Sequence, residues 1–397
     1  MDKKTQALHT PYPQADAYGA LSMPVYHCAA YEFANSAEMA DSFCGRSAAP
    51  DYSRVTNPTV INYENIIKGL TGARDVVAFN SGMAAISAAT MAIVEAGKNI
   101  VTSRHLFGNT YLLFTNTLAR FGVETRLVDL TDREAVEKAV DDDTAMLYLE
   151  TVTNPQMEVA DVEILSDIAH RHGAAVVADT TMIPFIYSDI HRLGADVEIL
   201  SSTKYLSGGA TSLGGLVIDY GTIPGFDFRL RKDLLMNLGG YLNPHAAYMQ
   251  TLGLETLQAR YEAQEANAMA VARALEGMPG VEVCYPGLES NRWHEACHRQ
   301  YGGRYSAMLT IMLPDEESCT RFIDSLKVVK RATNLFDNRS LAIHPYSTIF
   351  GTLTPEQRKA MDVSERLIRL SIGLEAPEDI IADLRQAIAK ACRSKEE

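Results

Sequence analysis

The chain has 397 residues, which is too long for one ordinary core, so two or more packed units are expected. Its net charge of −14 argues against nucleic acid or an anionic membrane as the main partner, because basic surfaces bind both. The N-terminus lacks the apolar core of a signal peptide, and no apolar run reaches membrane-spanning length, so a cytoplasmic protein is predicted. The six cysteines are scattered without a C-x-x-C pair, which is typical of free thiols in such a chain.

The first two parts of the chain differ in periodicity. Residues 1–55 predict an extended arm with one short helix at about 36–43. From residue 56 to about 250, apolar strands alternate with helical segments, which indicates a mostly parallel α/β sheet with helices on both faces. The predicted strands are about 75–79, 99–103, 124–128, 145–150, 175–178, 197–201 and 215–218, and the predicted helices are about 60–71, 82–95, 109–121, 132–139, 161–172 and 188–193.

A long helix at about 245–277 leads into the third part, residues 251–397. This part has fewer strand-like segments, and the order of its elements predicts a smaller α+β C-terminal domain. Its predicted strands are about 281–285, 305–312 and 370–372, and its predicted helices are about 316–326, 355–361 and 376–391.

Two polar residues follow buried strands at positions where α/β folds gather their chemistry. Lys204 has two possible interpretations: an ordinary lysine at the end of a strand, or a catalytic lysine whose amine attacks an aldehyde. Asp179 is a helix cap or a carboxylate that pairs with a protonated ring nitrogen. One strand–helix–strand step of 25 positions separates them, so both can reach one site. By itself, each signal is weak.

The segment from Asn80 to Ala84 lies where a strand runs into a helix. Backbone amides at a helix start bind anions, and Gly82 permits close approach. Such junctions are common in α/β folds, so the segment is either an ordinary connection or a phosphate site.

Seven stretches of the sequence together resemble the transsulfuration family of pyridoxal-phosphate enzymes. They occur in the family's order and span nearly the whole chain, which makes the set specific. They are YSRVTNPT at 52–59, SGMAA at 81–85, ETVTNP at 150–155, DTT at 179–181, SSTKYL at 201–206, GLETL at 253–257 and RLSIGLE at 369–375.

The resemblance implies an aspartate-aminotransferase-like fold (fold type I), with residues 56–250 as the domain that binds pyridoxal phosphate. Lys204 would hold the cofactor as a Schiff base and shuttle protons, and Asp179 would pair with the pyridine nitrogen. Asn154 would lie near the ring hydroxyl. The cofactor phosphate would be bound within the subunit by Ser81, Gly82, Met83, Ser201 and Thr203.

The resemblance also implies contacts with the substrate and with a second subunit. Arg369 would bind the substrate α-carboxylate, and Ser340 lies in the loop that helps to orient substrate. Tyr52 and Arg54, on the 1–55 arm, would reach the neighbouring subunit's phosphate, with Tyr52 also near the substrate. A homodimer is therefore expected to be obligatory for the site, and family members usually pair such dimers into tetramers.

One departure from the family pattern bears on the reaction. Many members have a tyrosine that stacks on the cofactor and protonates the leaving group, where this chain has Phe107. Phenylalanine keeps the stacking but has no proton to give. Methionine γ-lyases also have a cysteine where this chain has Asn109, and a lysine–aspartate pair where it has Met236-Asn237.

An activated ester leaves more readily than methanethiolate without an acid. The sequence therefore favours γ-replacement on an O-acetyl- or O-succinylhomoserine by sulfide or a thiol. Elimination of the methionine γ-lyase or cystathionine type is the alternative.

Two other classes of protein remain as rivals. The segment His294-Glu295-Ala296-Cys297-His298 matches the H-E-x-x-H zinc-protease pattern. No third ligand is evident beyond Glu316 or Glu317, so an amphipathic surface helix is favoured, with no metal expected. A non-catalytic member of the fold is the other rival. The presence of Lys204, Asp179 and Arg369 together argues against it.

Overall fold

The computed structural model describes residues 1–10 and 18–392. Residues 11–17 of the predicted arm and residues 393–397 of the predicted C-terminal domain lie outside the described part. The strands, numbered along the chain, are β1 Asp75–Phe79, β2 Asn99–Ser103, β3 Glu124–Val128, β4 Thr144–Glu150, β5 Ala175–Asp179, β6 Val197–Leu200, β7 Gly215–Asp219, β8 Glu282–Cys284, β9 Met308–Met312, β10 Lys330–Arg331, β11 Leu341–Ile343 and β12 Leu367–Ser371.

The helices are numbered in the same way. Two π-helical segments, Leu113–Thr117 and Arg229–Leu235, and two 3₁₀ segments, Leu118–Phe121 and Tyr205–Ser207, accompany the α-helices. The α-helices are α1 Lys3–His9, α2 Ser36–Phe43, α3 Pro58–Thr71, α4 Gly82–Ile93, α5 Gly108–Leu112, α6 Arg133–Ala139, α7 Val162–Arg171, α8 Phe226–Phe228, α9 Met236–Leu238, α10 Pro244–Glu255, α11 Leu257–Leu275, α12 His294–Tyr301, α13 Glu316–Ser325, α14 Pro355–Ala360 and α15 Pro377–Ala391.

The chain divides into two compact units. The first comprises Met1–Ile93 and Asp196–Thr256, and the second comprises Val94–Ala195 and Leu257–Glu397. In the first unit β7 pairs antiparallel with both β1 and β6. Helix α3 begins at Pro58 because the Asn57 side chain accepts hydrogen bonds from the next two free backbone amides. The helix is terminated by Gly72, whose backbone adopts the left-handed conformation.

The second unit contains a run of parallel strands in the order β5-β4-β2-β3. Strands β2, β4 and β5 are buried over almost their whole lengths, as their apolar runs require. Since β4 and β5 are parallel and in register, their last residues, Glu150 and Asp179, lie opposite each other at one edge. The sequence placed both residues at strand ends, and the parallel pairing brings them together.

A second, smaller sheet lies in the same unit, in the order β10-β11-β12-β9-β8. Its pairings are antiparallel except for β10 with β11. Helix α11 packs against β8 and β9 of this sheet, and α15 packs against both α11 and α13. Arg369 lies on β12, opposite Thr310 of β9. These strands and helices have the α+β character that the sequence predicts for its last third.

Several predicted helices differ from those observed. The helix predicted at 188–193 is instead a turn at 190–194, in which the Ile190 carbonyl accepts from the Leu193 and Ala195 amides and Gly194, with φ of 104°, redirects the chain. The predicted helix at 109–121 is α-helical only to Leu112 and then continues as π and 3₁₀ turns. The predicted helix at 245–277 is interrupted at Thr256, whose hydroxyl donates to the Gly253 carbonyl. Within the described part of the chain, no helix combines the length and apolarity needed to cross a membrane.

Candidate active site

In the first unit, the predicted phosphate-binding turn packs directly against the loop that carries the lysine. The Ser81 hydroxyl accepts from the Ala84 amide at 3.1 Å and so caps α4, whose first two residues are Gly82 and Met83. A Cβ on Gly82 would lie 2.8 Å from the Ser201 Cβ. Glycine is therefore required at this turn, and the structure brings Ser81, Gly82 and Ser201 together.

Lys204 lies on a loop that internal hydrogen bonds hold rigid. The Thr203 hydroxyl donates to the Gly214 carbonyl at 3.1 Å and accepts from the Gly214 amide at 3.0 Å. The Lys204 amide donates to the Ser201 carbonyl at 3.1 Å, and Tyr205, which follows, is buried. The lysine and the two predicted phosphate-binding hydroxyls therefore belong to one short, well-braced segment.

Tyr52 and Arg54 lie elsewhere in the first unit, on the N-terminal segment. Tyr52 is 44% exposed, and the Arg54 guanidinium lies 5.5 Å from the centre of its ring. Arg54 also donates to the Met236 carbonyl. Tyr52, Arg54 and Met236 line a cavity of about 910 Å³ together with apolar residues of α2 such as Phe43.

In the second unit, Asp179 is oriented by two donors. One carboxylate oxygen accepts from the Thr181 amide at 2.9 Å, and the other accepts from the Tyr148 hydroxyl at 3.1 Å. Burial raises the pKa of Asp179, and the two hydrogen bonds oppose that rise. The result is a carboxylate fixed at a strand end in an apolar wall, where it would favour a protonated partner.

Glu150 connects two of the predicted site residues through their backbones. Its Oε1 accepts from the Phe107 amide at 2.6 Å, and its Oε2 accepts from the Asn154 amide at 3.1 Å. Burial, and then the charge of Asp179, raise the pKa of Glu150 to about 8. The sequence places Glu150 at a strand end and in a family stretch, but it does not identify this bridging contact.

Arg369 is buried with neutral partners. Its Nη1 donates to the Asn154 side-chain oxygen and its Nη2 to the Asn334 carbonyl, both at 3.1 Å. Its Nε is buried and has no hydrogen-bond partner among the described residues. Burial lowers the pKa of Arg369 to about 10. A buried cation without a carboxylate partner suits an anionic ligand.

Ser340 is fully buried at the start of β11, and its polar atoms serve the protein itself. Its hydroxyl donates to Glu375 at 2.8 Å, its amide donates to the other Glu375 oxygen at 2.7 Å, and the hydroxyl accepts from the Gly373 amide at 2.9 Å. A substrate contact by Ser340 stays a prediction.

The H-E-x-x-H segment forms helix α12, with its two histidines stacked at 5.9 Å between ring centres. The His294 Nδ1 lies 2.9 Å from the Pro286 carbonyl, and the His298 Nδ1 lies 2.7 Å from the Tyr305 hydroxyl. Within residues 1–10 and 18–392, no group of three or more His, Cys, Asp or Glu side chains could hold a metal ion. These histidines have structural partners.

The fold and these residues define a class of protein. The chain belongs to the Cys/Met metabolism PLP-dependent enzyme family, whose model matches residues 4–389. The family, the pyridoxal-phosphate cofactor and the enzyme class predicted from the sequence are thereby confirmed.

Individual relatives include enzymes of both predicted reaction types. An O-succinylhomoserine sulfhydrylase from Pseudomonas aeruginosa is 36% identical over 92% of this chain and 90% of its own length. An L-methionine gamma-lyase from Porphyromonas gingivalis is 36% identical over 97% of this chain and 96% of its own length.

A solved structure confirms the predicted fold class. The crystal structure of a Campylobacter jejuni chain assigned as an O-acetylhomoserine (thiol)-lyase matches with a TM-score of 0.94 and 32% identity, over 98% of this chain and 100% of that one. That protein carries N′-pyridoxyl-lysine-5′-monophosphate at its position 205.

The residues of this chain fit pyridoxal phosphate in each unit. The Gly82 turn packs closely against Ser201, so the first amides of α4 lie beside the hydroxyl-bearing residues Ser81 and Ser201. Asp179 offers the buried carboxylate that a pyridinium nitrogen requires. The first feature suits the phosphate of the cofactor, and the second suits its protonated ring.

Proposed function

We propose that the protein catalyses γ-replacement on an O-acylated homoserine, with sulfide or a thiol as nucleophile, to give homocysteine-type products. The observation that carries this is Phe107, which has no hydroxyl at the position where the family resemblance implies a tyrosine. The Phe107 amide donates to the Glu150 Oε1 at 2.6 Å, so the backbone that carries the Phe107 ring is held in place. A site without an acid here suits a carboxylate leaving group better than a thiolate.

The site residues predicted from the sequence would then serve one cofactor, which supplies an electron sink for the substrate's Cα–H electrons. The Lys204 Nζ would carry the cofactor and move the substrate's α-proton. Asp179 would keep the ring nitrogen protonated, and Asn154 would lie beside the ring hydroxyl. Ser81, Gly82, Met83, Ser201 and Thr203 would bind the phosphate. The close packing of the Gly82 turn against Ser201 supports this, whereas the Thr203 hydroxyl already bonds to the Gly214 backbone.

Arg369 would bind the substrate α-carboxylate. Its burial and its neutral partners support this role, because a carboxylate would satisfy both its charge and its unpaired Nε. Ser340 would act on substrate through the backbone of its segment, since its hydroxyl is occupied by Glu375.

Tyr52 and Arg54 would complete the site of a second copy of the chain, and such dimers would pair into tetramers. The exposure of Tyr52 and the open apolar cavity beside it support a partner at this surface.

Steady-state assays of the purified protein with O-acetylhomoserine, O-succinylhomoserine, cystathionine and methionine, each with and without sulfide, test the proposal. We expect sulfide-dependent homocysteine formation from an O-acylhomoserine to be the fastest reaction. Release of α-ketobutyrate from methionine at a comparable rate would favour the γ-lyase alternative, which is the reaction named for the Porphyromonas gingivalis relative.

A further inference from the structure

Glu150 holds two separate backbone segments with one carboxylate. The two amides that it accepts belong to Phe107, 43 positions before it, and to Asn154, four positions after it. Glu150 is only 7% exposed, so water cannot readily replace either contact. Because both oxygens of the carboxylate are used, their fixed separation sets the spacing of these two segments.

Asn154, whose backbone amide donates to Glu150, also contacts Arg369 through its side chain. The side-chain oxygen of Asn154 accepts from the Arg369 Nη1 at 3.1 Å, and the Asn334 carbonyl accepts from Nη2 at the same distance. These neutral groups orient the buried guanidinium without neutralising it. The directions in which its remaining N–H groups point, including the Nε–H, therefore depend on where the Asn154 backbone lies, and Glu150 holds that backbone.

We propose that Glu150 is a positioning residue: by holding the Asn154 backbone, it fixes the orientation in which Arg369 recognises the substrate carboxylate. Its other oxygen holds the Phe107 backbone and so fixes the position of the Phe107 ring. The proposal rests on the proposed function only in assigning the carboxylate to Arg369. Glu150 itself need not touch substrate or cofactor. Its neighbour Asp179 supplies the negative charge that faces the ring nitrogen, whereas Glu150 supplies geometry.

The test compares two probes that differ by one carboxylate. L-Norvaline carries the α-carboxylate but no leaving group, and butylamine is the same molecule without the carboxylate. Their dissociation constants are measured by visible absorption titration of the full chain loaded with pyridoxal phosphate. We expect the wild-type protein to prefer L-norvaline strongly, and Glu150→Gln to reduce this preference by roughly 10-fold, because one backbone N–H would face the new amide N–H₂.

Three variants define the outcome. Arg369→Lys should lower the preference for L-norvaline. The double variant Arg369→Lys with Glu150→Gln should show a preference only slightly lower than that of Arg369→Lys alone. Glu134→Gln, an exposed change of the same kind on α6, should leave the preference unchanged. A general loosening of the site would weaken both probes equally and leave their ratio unchanged, and that result would overturn the proposal.

Folding of each variant is checked by circular dichroism. If Glu150→Gln does not fold, Glu150→Asp takes its place, because it keeps the carboxyl group and removes the reach to one amide. A wild-type-like ratio in the folded variant contradicts the proposal. Absence of homocysteine formation in the wild-type protein would contradict only the proposed function, because neither probe has a leaving group.

Discussion

At the residue scale, His105 is a buried side chain that lies between two carboxylates. Its Nδ1 contacts Glu158, and its Nε2 lies 2.9 Å from Asp362, to which Arg104 also binds at 3.3 Å. Burial of the ring opposes protonation, but the two carboxylates outweigh it and raise the pKa of His105. The residue lies two positions before Phe107, so its ion pairs brace the same segment.

His105 should therefore make stability depend on pH. Because the folded-state pKa of His105 is raised, its contribution to the free energy of unfolding is fully present below the unfolded-state pKa of about 6.5. That contribution is lost as pH rises through the folded-state pKa. We expect His105→Leu to lower the melting temperature at pH 6, by an amount that shrinks steadily toward alkaline pH. Melting curves at several pH values check this, with exposed His245→Leu as control. A difference that is constant with pH would show that the ring acts by packing alone.

At the element scale, one carboxylate joins α15 to the segment before β10. Asp383 is buried and accepts from the backbone amides of Lys327, Val328 and Val329 at 2.8–3.1 Å. Burial opposes its ionisation, but these amides outweigh burial and lower the pKa of Asp383. The arrangement satisfies three donors that would otherwise be left without partners at the end of α13.

Asp383→Asn should lower the free energy of unfolding by about 1–3 kcal/mol, since its amide N–H₂ cannot accept from the backbone. Because the folded-state pKa is depressed, the contribution is present above the unfolded value of about 3.9 and is lost as pH falls through the folded pKa. Urea unfolding at pH 7 and pH 3 measures this, with exposed Asp379→Asn as the matched control on the same helix. An equal loss at both pH values would rule out the charge as its source.

At the scale of the whole molecule, a site shared between subunits has a distinctive consequence. Arg54→Ala and Lys204→Ala would each inactivate a homodimer, by our assignment of Arg54 to the neighbour's phosphate. Mixed dimers would regain one intact site, so co-expressed variants should recover about a quarter of wild-type activity. Co-expression of Lys204→Ala with Asp179→Ala serves as control and should recover none, because both residues would serve the same subunit's cofactor. Recovery in neither mixture would place Arg54 outside the neighbouring site.

The sequence determined much of this protein by local rules. Strands β1, β2 and β3 have the predicted bounds, because each is a short run of strand-forming residues between turn signals. Helix α3 was predicted within two residues of its start, where Asn57 and Pro58 set the first turn. The family and its cofactor were likewise readable as ordered short motifs.

Tertiary structure decided what depends on residues far apart in the chain. The two backbone amides that share Glu150, and the pairing of Asn154 with Arg369 across 215 positions, leave no local pattern. The interruption at Thr256 and the π turn after α5 also escaped prediction, since helical periodicity continues through both. Periodicity and turn chemistry act over a few residues, whereas the direction of a buried hydrogen bond is set only when separate elements pack together.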